Sequence, residues 1–189
     1  MAGTLSEILA GYSVAIKTLN IISTSMALKI IITGGTIDSV YNPLNGKLNY
    51  SKDKSGVPEM LKQARCTLKV KMQTLFLKDS LDISDDDREK ILWACKNCTE
   101  DKIVITHGTD TMIETAKALG KSVKNKTIVI LGAMVPYSFG NSDALFNLGC
   151  ALSAVQFLQQ GVYISMNGKF FSCDNVKKNR DIGEFCTLK

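Results

Sequence analysis

Short apolar runs alternate with amphipathic segments along most of the chain. Five runs are rich in apolar or β-branched residues and end at turn-forming residues, which predicts strands. These strands are predicted at 28–32, 67–77, 102–106, 127–131 and 162–166. Between them, apolar residues recur at helical spacing. These helices are predicted at 57–65, 84–98, 111–121 and 143–160.

Local signals set several of these boundaries. Ser84 precedes three acidic residues, and a serine N-cap followed by acids in the first turn favours a helix start. Pro58 suits the first turn of a helix. The polar stretch 38–55, with Asn, Pro and Gly, is predicted to be a long loop. Residues 169–171 are expected to pair beside the last strand.

Strands that alternate with helices at this spacing indicate an α/β fold. The expected architecture is a three-layer αβα domain with a parallel sheet and helices on both faces. In such sheets, ligands bind at the loops that follow the carboxyl ends of the strands. This rule selects four loops rich in Gly, Ser, Thr or Asp. They span 33–41, 78–84, 107–111 and 132–142.

Composition and charge narrow the class of protein. The chain has 189 residues, 45% hydrophobic and 22% charged, which suits one globular domain, expected at 28–189. The net charge of +5 is scattered, and the one tight basic group is Lys177, Lys178 and Arg180, so no nucleic-acid partner is expected. Residues 1–27 are predicted to be an N-terminal extension, disordered or non-native. They are too polar for a membrane span, and no membrane partner is expected.

The cysteines and the missing cofactor motifs limit the chemistry further. Six irregularly spaced cysteines indicate free thiols in a reducing compartment, hence a cytoplasmic protein. Cys95 and Cys98 fall late in a helical pattern and are interpreted as helix thiols rather than as a zinc or redox pair. The chain has neither a phosphate-binding loop motif nor a dinucleotide fingerprint. No metal and no cofactor are therefore predicted.

Two loops carry hydroxyl groups at predicted strand ends. Gly34 and Gly35 permit a sharp turn that presents the Thr36 hydroxyl, although an ordinary turn with a threonine cap fits equally well. In the loop 107–111, Thr109 offers a second hydroxyl and Asp110 a carboxylate that could hold an ammonium group or cap a helix. The single histidine of the chain, at the start of this loop, is a candidate structural donor.

These two loops resemble the signature motifs of bacterial-type L-asparaginases. The resemblance rests on Thr33-Gly34-Gly35-Thr36-Ile37 and on His107-Gly108-Thr109-Asp110-Thr111. Further segments are similar to the family in the same order, and the likeness covers Leu28 to Phe185. These segments are Asp79-Ser80-Leu81-Asp82, Gly132-Ala133-Met134-x-Pro136, Ser142-Asp143 with Phe146-Asn147-Leu148, and Asn175-Val176-Lys177-Lys178.

The resemblance implies a reaction and a role for each matching residue. The reaction is hydrolysis of the side-chain amide of L-asparagine to L-aspartate and ammonia, through an acyl-enzyme on the nucleophile Thr36. Thr109, Asp110 and Lys178 would handle protons, and Tyr50, or failing it Tyr41, would help to activate the nucleophile. The remaining roles concern the substrate. Asp79, Ser80, Gly35, Gly108 and Asp110 would bind it, with Ser80 on its carboxylate and Asp110 on its ammonium group.

The chain also departs from the family pattern. Family members carry a second, smaller C-terminal domain, whereas this chain ends after the lysine segment, so an N-terminal-domain-only form is expected. A homodimer or higher homo-oligomer would then complete the site. Leu81 stands where a polar residue is common. Two alternatives stay open. One is a non-catalytic module that binds aspartate or asparagine as a sensor, and the other is a related amidohydrolase acting on glutamine or another small amide, since one methylene gives modest discrimination.

Overall fold

The computed structural model describes residues 27–50 and 54–188. The N-terminal extension predicted at 1–27 lies outside these residues, apart from residue 27. The strands of the described chain are β1 (Leu28–Gly34), β2 (Ser39–Asn42), β3 (Lys47–Tyr50), β4 (Val70–Lys78), β5 (Lys102–Thr106), β6 (Thr127–Leu131), β7 (Gly161–Met166), β8 (Lys169–Ser172), β9 (Lys177–Asn179) and β10 (Glu184–Cys186). The α-helices are α1 (Val57–Gln63), α2 (Asp85–Asn97), α3 (Met112–Ser122) and α4 (Ala144–Phe157).

Six of these strands form one sheet in the order β4-β1-β5-β6-β7-β8. The first five run parallel, and β8 closes one edge antiparallel to β7. The expected pairing of residues 169–171 beside the last parallel strand is thus confirmed. The sheet brings β1 and β5 together, with Ile32 opposite Thr106, so the loops that follow them leave the sheet side by side.

Helices cover both faces of the sheet. Successive side chains of a strand point to opposite faces, and β1 follows this rule with fully buried isoleucines on both. Ile31 lies in a core with residues of α2 and α3, whereas Ile30 and Ile32 lie in a second core with residues of α1 and α4. The predicted three-layer α/β architecture is confirmed. No helix of the described residues is long and apolar enough to cross a membrane.

The predicted start of α2 is confirmed in detail. The Ser84 side chain accepts from the Asp87 backbone N–H at 3.2 Å, and Asp87 Oδ2 accepts from the Ser84 N–H at 3.2 Å, which forms a capping box. Lys78 Nζ also donates to Asp87 Oδ2, at 2.6 Å. The end of β4 is thereby fixed to the start of α2, and the loop between them is held at both ends.

The prediction of a loop across 38–55 was wrong for part of that range. β2 and β3 form an antiparallel hairpin in which Ser39 is opposite Tyr50. Its turn is shaped by Gly46 with φ 70° and by Asn42 Oδ1, which accepts from the Leu44 N–H. Most side chains of this hairpin are exposed, so no alternation of buried and exposed positions marks it in the sequence.

Other boundaries also differ from the prediction. Helix α4 ends at Phe157 rather than at residue 160, because the next residue, Leu158, is extended. Helix α1 ends two residues early, before Arg65 with φ 51°, and β4 begins at Val70 rather than at residue 67. The hairpin of β9 and β10, which places Lys178 opposite Phe185, was not predicted.

The Cys95–Cys98 pair lies where the sequence placed it. Cys95 is buried within α2, and Cys98 is half-buried at the helix end. Burial raises the pKa of the Cys95 thiol to about 12, so this group stays protonated at neutral pH. Among the described residues, no group of three or more His, Cys, Asp or Glu side chains is arranged to hold a metal ion.

Candidate active site

The loop after β1 lies directly on the loop after β5. Gly35, with φ 84° and ψ 177°, precedes a 3-10 turn over Thr36–Asp38 that presents Thr36 at the sheet edge. A Cβ atom at Gly35 would lie 2.3 Å from the backbone N of Gly108. Thr33 Oγ1 donates to the Thr106 carbonyl at 2.6 Å and ties the two strands together just before these loops. The two threonine loops therefore meet through backbone contact.

The loop after β4 also contacts the loop after β5, through Ser80. A Cβ atom at Gly108 would lie 2.6 Å from the Ser80 side chain. Ser80 Oγ accepts from the Asp110 N–H at 3.3 Å, and Thr111 Oγ1 donates to the Ser80 carbonyl at 2.7 Å. Ser80 is only 2% exposed. In this arrangement, Ser80 supports the loop that carries Asp110, and its side chain is covered.

Lys178 connects the loop after β5 to the β9–β10 hairpin. Its Nζ donates to Thr109 Oγ1 at 2.8 Å and to Asp110 Oδ1 at 2.9 Å. Arg180 Nη1 donates to the same Asp110 oxygen at 2.8 Å. The hydrogen bond from Lys178, together with the charges of both cations, lowers the pKa of Asp110 despite its partial burial. Asp110 is thus an ionised carboxylate shared by two cations.

A cavity of about 620 Å³ opens beside the first loop. Three predicted site residues line it. They are Thr36, Tyr50 and Asp79. Tyr50 OH lies 3.4 Å from Asp79 Oδ2, and burial together with the negative charge of Asp79 raises the pKa of Tyr50, which keeps its phenol protonated. Tyr41, the second candidate, is 55% exposed on the hairpin and is outside the cavity lining.

The predicted residues therefore form two groups. One is Thr36 with Tyr50 and Asp79 around the cavity, and the other is Thr109 with Asp110 and Lys178. Among the described residues, no hydrogen bond joins one group directly to the other. They are linked by the contact of Gly35 with Gly108 and by Ser80, which follows Asp79 and accepts from the Asp110 N–H. The Thr36 hydroxyl likewise has no hydrogen-bond partner among residues 27–50 and 54–188, which leaves it open to a ligand.

Sequence analysis missed several residues of the site. Five further residues line the cavity, namely Ser39, Leu48, Asn49, Leu81 and Asp82. Leu81 and Asp82 fall in the matching segment 79–82, whereas Ser39, Leu48 and Asn49 went unnoticed because the hairpin that carries them was predicted to be a loop. Arg180 was noticed only as part of a basic group. Its position two residues after Lys178 is the signal that could have placed it near the same site.

The loop after β6 is held by Asp143. Its carboxylate accepts from the backbone N–H groups of Met134 and Val135, both at 3.0 Å. Asn147 Nδ2 donates to the Gly132 carbonyl at 3.0 Å and to Asp143 Oδ2 at 2.9 Å. A Cβ atom at Gly132 would lie 2.5 Å from the His107 carbonyl oxygen. This matching segment therefore shapes and supports the site.

His107 is buried beneath the site, with both ring nitrogens in contact with neighbours. Nδ1 lies 2.9 Å from the Gly108 carbonyl oxygen, and Nε2 lies 2.9 Å from Thr115 Oγ1. Burial lowers the pKa of His107 from 6.5 to about 4. The ring is neutral at pH 7 and connects the loop to helix α3, as expected of a structural donor.

Acid is expected to destabilise the fold through His107. Between pH 6.5 and about 4 the unfolded chain binds a proton that the folded ring does not, so stability falls as the pH decreases through this range. The loss is about 3 kcal/mol at 1.36 kcal/mol for each pKa unit. His107→Gln lacks this contribution, so its stability deficit relative to the wild type should shrink between pH 7 and pH 4. Urea unfolding of both proteins at the two pH values measures this, and an unchanged deficit would contradict it.

Together, these features define an α/β domain in which two glycine-threonine loops meet beside a lysine–carboxylate pair. The family model Asparaginase, N-terminal matches residues 27–182. The chain therefore belongs to the asparaginase family, as its two signature motifs suggested.

Three relatives illustrate this membership. The L-asparaginase of Thermococcus kodakarensis is 32% identical over 166 residues, covering 84% of this chain and 49% of that protein. Its solved structure superposes with a TM-score of 0.73 at 29% identity, covering 86% of this chain and 51% of that one. L-asparaginase 2 of Escherichia coli is 34% identical over 166 residues, covering 82% of this chain and 45% of that protein. One component of the glutamyl-tRNA(Gln) amidotransferase of Methanococcus vannielii is 32% identical over 151 residues, covering 75% of this chain and 34% of that protein. The chain thus spans about half the length of the L-asparaginases that it matches.

Proposed function

We propose that this protein hydrolyses the side-chain amide of L-asparagine to L-aspartate and ammonia, with Thr36 as the nucleophile. The observation that carries the proposal is the position of Thr36. It lines a cavity of about 620 Å³ and lies on a loop in backbone contact with the loop of Thr109 and Asp110. Membership of the asparaginase family, with relatives named L-asparaginase, supports the same substrate class.

The cluster of Thr109, Asp110 and Lys178 supplies the base that a threonine nucleophile needs. A hydroxyl attacks weakly at neutral pH and needs a neighbouring group to accept its proton. Lys178, fixed by Thr109 and Asp110, is the proposed base once its ammonium has released a proton, with the Thr109 hydroxyl as relay. Tyr50 remains neutral, and its one O–H is directed at Asp79 Oδ2. By turning from Asp79 to the Thr36 oxygen it would donate a hydrogen bond there rather than remove the Thr36 proton.

The proposed reaction has two stages. Thr36 Oγ1 bonds to the amide carbon while its proton passes to the departing nitrogen, and ammonia leaves an ester with Thr36. Water then adds to this ester, and aspartate departs as the Thr36 hydroxyl regains its proton. Backbone N–H groups near Gly35 and Gly108 would stabilise the oxyanion of both stages, a contribution of about 3 kcal/mol for one well-placed donor. No cofactor takes part in the proposed chemistry.

Assembly and location complete the proposal. We expect a homodimer or higher homo-oligomer of a cytoplasmic protein, with a small amino-acid amide as its ligand. The cavity is open to solvent, and Leu81, which lines it, is 70% exposed. Contact with a second copy would cover this apolar side chain and exclude water from the cavity. Sedimentation or light scattering of the purified protein measures the assembly.

One observation favours a second candidate function, a module that binds aspartate or asparagine without turnover. Asp110 holds Lys178 as an ion pair, and Arg180 bonds to the same oxygen. An ammonium in such a pair does not accept a proton until it is discharged. Binding would then occur without hydrolysis.

Ammonia release separates the two functions. Purified protein is expected to release ammonia from L-asparagine, to release less from L-glutamine and D-asparagine, and to lose this activity in Thr36→Ala. No ammonia from any of the three amides, together with a higher melting temperature in aspartate, would favour the binding module. Full activity in Thr36→Ala would refute the proposed nucleophile.

A further inference from the structure

Arg180 is a basic side chain at the site to which the proposed reaction gives no task. It lies in the turn between β9 and β10, one residue after β9, and 67% of its side chain is exposed. Its Nη1 bonds to Asp110 Oδ1 at 2.8 Å, the oxygen that also accepts from Lys178 at 2.9 Å. Lys178 lies in β9 and Arg180 in the turn that follows it, so both side chains come from one hairpin. The hairpin therefore delivers both cations to one carboxylate.

The two cations differ in their surroundings. Lys178 is only 11% exposed and also bonds to Thr109, so it is fixed on the inner side of Asp110. Arg180 reaches Asp110 from the solvent side and uses one of its five N–H donors for this contact. Within residues 27–50 and 54–188, its remaining donors have no hydrogen-bond acceptor. They are therefore available to an anionic group of a ligand.

The Asp110–Arg180 pair is complementary to the two charged groups of a free amino acid. An α-ammonium fits a carboxylate, and an α-carboxylate fits the planar fork of a guanidinium, which can bind both its oxygens. Ser80 was expected to take the carboxylate, but it is 2% exposed and its Oγ accepts from the Asp110 N–H, so it offers at most one neutral O–H donor. The Arg180 guanidinium adds the positive charge and the second donor that this hydroxyl lacks.

We propose that Arg180 binds the α-carboxylate of the amino-acid amide, releasing Asp110 so that Asp110 accepts from the α-ammonium. The assignment rests on the proposed function, because it places the substrate at the same site. The exchange replaces one ion pair within the protein by two with the ligand, so neither Arg180 nor Asp110 loses its counter-charge. The site would then select ligands in which both α-groups are charged.

Calorimetric titration of the whole protein with L-aspartate tests this assignment. Arg180→Gln is expected to raise the Kd for aspartate about 10- to 100-fold, as for loss of a charge-assisted hydrogen-bonded pair. Lys177→Gln is the matched control. It removes the same charge one strand position from Lys178, from an exposed side chain that does not contact Asp110. It should change the Kd by no more than about twofold, as for an exposed and screened charge.

The α-methyl ester of L-aspartate supplies the complementary ligand, since it lacks the α-carboxylate charge. Wild type and Arg180→Gln should bind it equally weakly, and Arg180→Lys should recover part of the aspartate affinity. An equal loss for both ligands would mean that Arg180 acts only by orienting Asp110, which overturns the assignment. Unchanged aspartate affinity in Arg180→Gln, or no aspartate binding by the wild type, overturns it too.

Ammonia release measured on the same proteins keeps the two proposals separate. Aspartate binding that depends on Arg180, without any ammonia from asparagine, would end the proposed hydrolysis and leave the carboxylate assignment standing. Hydrolysis of asparagine with the same KM in wild type and Arg180→Gln would support the proposed hydrolysis and overturn the carboxylate assignment. The exposed position of Arg180 makes misfolding of the variant unexpected, and thermal unfolding checks it directly.

Discussion

Thr36→Val is expected to reduce kcat for ammonia release from L-asparagine by about a thousandfold or more. Valine keeps the branched shape of threonine and removes only the hydroxyl, so the variant lacks the atom that would form the ester. Losses of this size follow removal of a nucleophile that acts together with its base. Because the Thr36 hydroxyl has no hydrogen-bond partner among the described residues, the fold should be preserved to within about 0.5 kcal/mol.

Thr74→Val is the matched control for this experiment. Thr74 is exposed on the edge strand β4, away from the residues that line the cavity. The same chemical change there should leave kcat and KM within about twofold of the wild type, as surface substitutions usually do. If Thr36→Val keeps more than about a tenth of wild-type kcat, another group forms the covalent bond or attack by water suffices.

Gly35→Ala is expected to have the largest effect on stability. Its φ of 84° with ψ of 177° is a conformation open almost only to glycine, and a Cβ there would lie 2.3 Å from the Gly108 backbone N. Backbone cannot move aside as a flexible side chain does, so the two loops must separate. The expected cost exceeds about 4 kcal/mol, with loss of activity even where folded protein is obtained. Urea unfolding and an ammonia assay measure the two effects.

Gly140→Ala is the control that introduces backbone strain without a steric clash of the new Cβ atom. Gly140 shares the positive φ of 84°, with ψ of −46°, but a Cβ atom there would have no neighbour within 4 Å. Its expected cost is therefore only the conformational strain of about 1–3 kcal/mol, and the site should stay active. Equal destabilisation by both substitutions would show that the contact of Gly35 with Gly108 contributes nothing of its own.

The sequence predicted the layers of the fold because the buried strands carry a strong signal. Residues 103–105 and 128–131 are continuous apolar runs, which are typical of strands covered on both faces. The hairpin at 39–50 carries no such signal, since its side chains are mostly exposed and Pro43 and Gly46 interrupt it. Its position depends on contacts with the domain rather than on local pattern.

For the site, the sequence likewise predicted some features and not others. The motifs identified Thr36, Thr109 and Lys178 because their residue types match a known pattern. Which atoms touch was beyond the sequence, because the contact of Lys178 with Asp110 joins residues 68 positions apart. The role of Arg180 was hidden for the same reason. Arg180 lies in the turn after β9, and its contact with Asp110 joins residues 70 positions apart.

The pairing of β1 with β5 has a consequence for how activity arises during folding. Thr33 and Thr106, joined by a hydrogen bond, are 73 residues apart, and the helices α1 and α2 lie between them in the chain. Closing a loop of that length is entropically costly and slow compared with helix formation. Thr36, the proposed nucleophile, and the loop of Thr109 and Asp110 therefore come together only after β1 and β5 have paired. During refolding, ammonia release should reappear later than helical circular dichroism, and no fragment that stops before β5 should have any.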